Sequence, residues 1–349
     1  REGKSYIKMQ TKDILKYRNI WMAIAMLWIM LFHTTFNCSD VIRLIRQIGY
    51  GGTDIFLFSS GLGIYASLKN DSNLGDYIWR RGSRLMPLYW VFLVPWGIVK
   101  KYTVGISIRD IIANIFCIQY ISGGNGPCVN WYWTILWILY LLAPFLFELI
   151  QRCERRIQYI SILMISIVAV VPFWNDGYLN MGFSRIPIFI EGMMFGKVLL
   201  TKSYIKRKTI IEFFVISILG IVMTEKLIVG YYWQAWQTGM LWYLMLMIVP
   251  GICLGISYVM CGLEKHGITK VYKVLEVIGN NTLEIFLAHV LLVELFRDYI
   301  LIKHVQLNTV FYWSLLYLIN ILASLGLYYT QHLLGKGCRV YRKRSKEGV

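Results

Sequence analysis

Residues 18–36 read RNIWMAIAMLWIMLFHTTF. Every residue from Ile20 to Phe32 is apolar, and the run then meets His33. Carried on to Phe36, the stretch reaches the short end of the length a lipid bilayer asks of a helix, about 17 residues. A titratable ring near the end of such a run needs a reason. Three are open: a structural residue satisfied by a neighbour, a relay in transport, or a general base.

Working outward, the same pattern recurs along the chain. It is 57% hydrophobic and 16% charged, against about 25% charged in soluble domains. The apolar residues form continuous blocks, whereas a membrane β-barrel would alternate in short segments. The fold class is therefore all-α, a polytopic transmembrane helical bundle. The formal net charge of +17 would suggest nucleic acid on a soluble protein. Here the basic residues lie between apolar blocks, so they read as cytoplasmic anchors and no nucleic-acid partner is expected. The first run lacks a small-residue cleavage site and reads as an uncleaved first helix.

About ten spans are expected, over 20–36, 49–68, 85–99, 131–150, 157–174, 186–200, 209–225, 239–260, 274–296 and 309–333. The third and sixth look short and are expected to extend. Segment 104–122, VGISIRDIIANIFCIQYIS, carries Arg109 and Asp110 and reads as an amphipathic surface or re-entrant helix. With both termini cytoplasmic, 27 of the 36 Lys and Arg residues fall inside. Counting 104–122 as a span would put every later loop on the wrong side. The whole of 1–349 reads as one integral-membrane domain with a basic tail from about 334, which faces membrane lipids.

A helix rises about 1.5 Å per residue, which puts His33 roughly 20 Å above the inner surface. Asp54 in the second span and His289 in the ninth reach a similar depth, with Arg185, Trp131 and Trp133 just above it. Ionisable groups at such depth are costly and usually face an interior cavity. One reading is that they glue helices. The other is catalytic: a neutral imidazole steadied by an acid takes a proton from a hydroxyl near pH 7.

On the inner side, WRRGSRLMP places Arg80, Arg81 and Arg84 at the entry to the third span. Arg81 and Arg84, three apart, share a helical face, and fixed guanidinium pairs suit phosphates. Ordinary positive-inside anchoring is the alternative. GLGIYA at 61–66 mimics a dinucleotide fingerprint, but no strand precedes it, so Gly61 and Gly63 read as close helix contacts. The seven cysteines show no CxxC pair and no histidine at ligand spacing, so no metal is expected. One disulfide among Cys38, Cys117 and Cys128 is left open.

These residues, in order, resemble the membrane acyltransferase-3 family of bacterial O-acyltransferases. The resemblance rests on the first-span histidine of RNIWMAIAMLWIMLFH, on GYGGTDIFLFSSGLGIYAS, YIWRRGSRLMPLYW, NWYWTILWILYLLAP, SRIPIFIEGMMFGK and IGNNTLEIFLAH. It departs from the family pattern at Asn19, Met22, Leu136, Thr282 and Phe286, which bears on the substrate more than on the reaction. The resemblance implies an acyl-CoA donor, such as acetyl-CoA, on the cytoplasmic side and no permanently bound cofactor. It implies a hydroxyl acceptor on a surface polysaccharide or lipid-linked glycan, in a bacterial cytoplasmic membrane. Arg80, Arg81 and Arg84 would hold the CoA phosphates. His33 would act as base, or accept the acyl group transiently, with Asp54 steadying it. Arg185, Glu284, His289, Trp131 and Trp133 would shape the acceptor pocket. The chain is compatible with a homo-oligomer. A second reading from another class is a small-solute or amino-acid transporter using His33 and Asp54 as a proton relay.

Overall fold

The computed structural model describes residues 9–34, 38–70, 73–103, 105–171 and 176–295, together with Leu318 and Leu322. The expected tenth span and the basic tail otherwise lie outside the described residues. The described chain is helical almost throughout. The helices are α1 (Thr11–Lys16), α2 (Arg18–Phe32), α3 (Asp40–Gln47), α4 (Gly51–Asn70), α5 (Leu74–Thr103), α6 (Ile108–Ile115), α7 (Gln119–Ser122) and α8 (Asn130–Gln151). They continue as α9 (Arg156–Val168), α10 (Gly177–Phe183), α11 (Ile186–Thr201), α12 (Arg207–Gln237), α13 (Met240–Tyr243), α14 (Met245–Lys265), α15 (Lys270–Asn280) and α16 (Thr282–Leu295). One antiparallel pairing, Met9 with Ile205 and Gln10 with Tyr204, is the only strand structure among the described residues.

Three described helices have the length and hydropathy to cross a membrane: Asn130–Gln151, Arg207–Gln237 and Met240–Lys265. Lys270–Asn280 with Thr282–Glu294 makes a fourth if the pair is one span. The ninth expected span is thus not continuous. It breaks at Asn281, after the run Gly279-Asn280, residues that favour leaving a helix. The third expected span lengthens in both directions into the 30 residues of α5, about 45 Å of helix, with its charges at both ends. Segment 105–122 forms only the 8-residue α6 and the 4-residue α7. A capping box between Ser107 and Asp110 starts α6, and the chain leaves it at Cys117, the one non-glycine residue with positive φ (58°) among those described.

The described chain divides into two compact units. The first contains α1–α4, the part of α8 after Trp137, and α9–α15. Its centre is α4, where buried residues run from Gly51 to Leu68. A Cβ on Gly61 would strike the Phe189 carbonyl of α11, and one on Gly192 would strike the Phe58 carbonyl of α4. Lipid tails are as apolar as the side chains, so close backbone approach, as at GxxxG, supplies the packing energy between such helices. Gly192 and Gly196 provide that spacing in α11. Gly52 meets the Ala25 carbonyl and Ile29 of α2 in the same manner. Gly63 is different: the Arg18 guanidinium occupies its flank, and Arg18 Nε donates to the Ser59 carbonyl at 3.1 Å. The close helix contact expected at Gly61 is present, whereas Gly63 meets an arginine side chain in place of a helix backbone. The Lys197 ammonium closes the C-terminal end of α8, donating to the carbonyls of Ile150 (2.9 Å), Gln151 (3.0 Å) and Cys153, where the helix leaves carbonyls unpaired.

The second unit contains His33 and Thr34, α5, α6, α7, the first turns of α8, and α16. Tyr89 of α5 stacks on Trp133 of α8, with ring centroids 5.0 Å apart and 20° between planes. Tyr132 of α8 meets Phe286 of α16 edge-on at 5.3 Å. At one end Glu294 accepts from Trp96 Nε1 at 3.0 Å, Lys100 Nζ at 3.1 Å and the Cys128 N–H at 3.3 Å. That buried carboxylate joins three segments through charged and neutral donors.

Candidate active site

Most residues singled out from the sequence fall in the second unit. His33 follows directly on the last residue of α2, and His289 lies on α16. Their rings face each other with His33 Nδ1 3.1 Å from His289 Nε2, centroids 5.0 Å apart. His289 is 2% exposed, and its Nδ1 has no hydrogen-bonding partner among the described residues. The depth argument placed both rings at one level, but it did not pair them. One ring must donate and the other accept. If His33 Nδ1–H donates, its Nε2 keeps the lone pair that a base needs.

Glu284 lies on the same helix as His289, five residues earlier and therefore about 7.5 Å along the axis. It is buried, and the charge of Arg84 acts on it from α5. Arg80, Arg81 and Arg84 are all helical, in the first turns of α5. Arg81 lies over the Tyr77 ring at 5.7 Å. Trp133 is fully buried in its stack with Tyr89, and Trp131 packs edge-on against Tyr132 at 5.6 Å. Gly82 of α5 faces Trp137 of α8, which keeps these two helices close at the level of the arginines.

The first unit holds the remaining two residues. Asp54, 0% exposed, pairs with Arg185, 2% exposed, through Nε at 3.3 Å from Oδ1 and 3.4 Å from Oδ2. Arg185 also donates from Nη1 to the Met181 carbonyl, and its guanidinium lies 4.8 Å from the Trp242 ring. Asp54, the acid expected to steady the base, has Arg185 as a partner in the first unit, and His33 has the His289 ring within hydrogen-bonding distance in the second. A depth estimate gives height along a helix but not which neighbour a side chain faces.

Sequence reasoning passed over Trp242, Tyr89 and Glu294. Glu294 carried the same signal that singled out His289, a charge inside an apolar run. Trp242 carried none, since tryptophans are frequent throughout the chain. None of the six cysteines among the described residues is in a disulfide, Cys38, Cys117 and Cys128 included.

An apolar helical chain with paired imidazoles on buried segments defines a membrane protein with acid–base capacity. The acyltransferase-3 family model, an acyltransferase domain, matches residues 19–329, and the chain belongs to that family. The match covers every candidate site residue and makes the chain an acyltransferase with membrane character; it lends no support to the transporter reading. No curated protein and no solved structure matches the chain.

Proposed function

We propose that the chain is a membrane O-acyltransferase that moves an acetyl group from acetyl-CoA to a hydroxyl of a surface polysaccharide or lipid-linked glycan. The observation that carries this reading is the His33–His289 contact at 3.1 Å, formed by the two histidines that the apolar runs single out. His33 Nε2 takes the acceptor hydroxyl proton as its oxygen attacks the thioester carbonyl. The tetrahedral intermediate expels the CoA thiolate, which recovers that proton from the imidazolium. His289 Nε2 accepts from His33 Nδ1–H throughout, a bond that strengthens when His33 is charged. It occupies the position that a carboxylate holds in a serine-hydrolase triad.

Arg80, Arg81 and Arg84 are assigned to the CoA phosphates, with Glu284 orienting Arg84. Trp131 and Trp133 are assigned to the wall of the reaction chamber. Arg185, held by Asp54, is assigned to the acceptor side. In the full topology the chain crosses a bacterial cytoplasmic membrane about ten times as a single domain with both termini inside; the distribution of Lys and Arg supports this. Membranes containing the protein, given acetyl-CoA labelled in the acetyl group and a glycan acceptor, are expected to yield label in an alkali-labile ester. Label that stays wholly on CoA with every acceptor hydroxyl offered would overturn the reading.

A further inference from the structure

We infer that the first unit carries a saccharide-binding ledge on residues 231–242, YYWQAWQTGMLW, running inward to the Asp54–Arg185 pair. Helix α12 departs from helical geometry at Tyr231 (φ −142°, ψ 33°). Beyond that point Tyr231 is 64% exposed and Trp233 71%. The rings then form a chain of contacts. Tyr232 meets Trp233 at 5.6 Å and Trp236 at 6.0 Å, and Trp236 meets Trp242 at 4.8 Å. Gly239, with φ of +75°, turns the chain between α12 and α13; a side chain there would adopt this conformation only at a cost. The turn sets Trp242, 1% exposed, under the Arg185 guanidinium.

Polar groups bearing unused hydrogen-bonding capacity cluster at the inner end. Asn180 Oδ1 and Trp242 Nε1 have no hydrogen-bonding partner among the described residues, Asp54 Oδ1 has only its 3.3 Å ion-pair contact with Arg185 Nε, and each residue is at most 1% exposed. Asn180 belongs to the same cluster, since its Nδ2 donates to the Gln237 carbonyl at 2.6 Å and its amide flanks Gly239. A buried polar group left unmatched is costly. Two acceptors and one donor beside an aromatic path ask for a ligand with hydroxyls at its edge and an apolar face. A pyranose ring has both.

An aromatic belt at the membrane surface would account for exposed Tyr and Trp. It would not account for a buried indole backed by a guanidinium, nor for the unmatched polar atoms. Charge narrows the ligand further. Asp54 already neutralises Arg185, so the inner end of the ledge favours a neutral sugar over a phosphorylated one.

The ledge deepens the acceptor reading and rests on it for its part in the reaction, yet binding can be measured with no acyl donor present. The full chain in nanodiscs, free of acyl-CoA, is applied to an array of neutral bacterial surface polysaccharides. The wild type is expected to retain at least one of them. Trp233→Ala and Trp236→Ala are each expected to weaken that binding by roughly tenfold, the upper range of one aromatic contact. Trp236→Phe, which keeps a flat ring, should retain most of it, and Tyr258→Ala, on the exposed side of α14, should retain all of it. Wild type that holds no glycan, or alanine variants that hold it as well as wild type, overturns the ledge. Transfer activity is read separately. An active enzyme with indifferent Trp variants loses only the ledge, and a glycan binder that never transfers acetyl loses only the reaction.

Discussion

At the scale of single residues, the contact between His33 and His289 demands a particular proton arrangement. A base at His33 Nε2 requires Nδ1 to carry the proton and His289 Nε2 to accept it. Glutamine at 289 retains an acceptor oxygen, whereas phenylalanine fills the space without one. His289→Gln is therefore expected to keep more activity than His289→Phe. The Phe variant should fall by up to about tenfold for the lost hydrogen bond alone, through kcat rather than KM. Equal rates in the two variants would show that His289 acts only by packing. The Asp54–Arg185 pair makes a separate demand. Both groups are out of solvent, so removing one partner strands the other. Asp54→Asn is expected to cost about 3–5 kcal/mol of stability, while Asp54→Leu combined with Arg185→Met should recover most of it. Thermal unfolding in detergent reads both, and a double variant no better than the single one would contradict the assignment.

At the scale of helices, α4 and α11 approach through glycines on both sides. Gly192 has the Phe58 carbonyl where a Cβ would go, so even alanine forces the helices apart. Overpacking of this kind costs about 1–3 kcal/mol. Gly97 of α5 has nothing within 4 Å of the same position, and there alanine gains up to about 1 kcal/mol of helix propensity. Melting temperature should fall for Gly192→Ala and hold or rise for Gly97→Ala; the reverse order would contradict the packing described. The glycines of GLGIYA were legible as close contacts because no strand precedes them. The partner of Gly63 was not legible, since Arg18 reaches it from a different helix. Span ends were the weaker part of the reading. A charge-free window stops at Arg84, but the backbone of α5 continues through its arginines, because long charged side chains reach back toward the surface. The break at Asn281 was written in Gly279-Asn280-Asn281, yet the apolar residues on either side masked it.

At the scale of the whole molecule, the class of protein was legible because insertion into a bilayer constrains composition so strongly. That two histidines lie at one depth was legible for a related reason, since ionisable groups in apolar runs are rare and usually face the interior; that their rings pair was not. The partner of Asp54 was not, because lateral packing depends on crossings that no single helix encodes. The central claim is that His33 is the base of an acetyl transfer. Its most direct test compares purified wild type and His33→Ala in nanodiscs, under labelled acetyl-CoA and a glycan acceptor, by initial rate of ester formation. The account predicts a loss of about 10²–10⁴-fold, the usual worth of a general base, with the variant still folded. Ester formation by His33→Ala at the wild-type rate would contradict it.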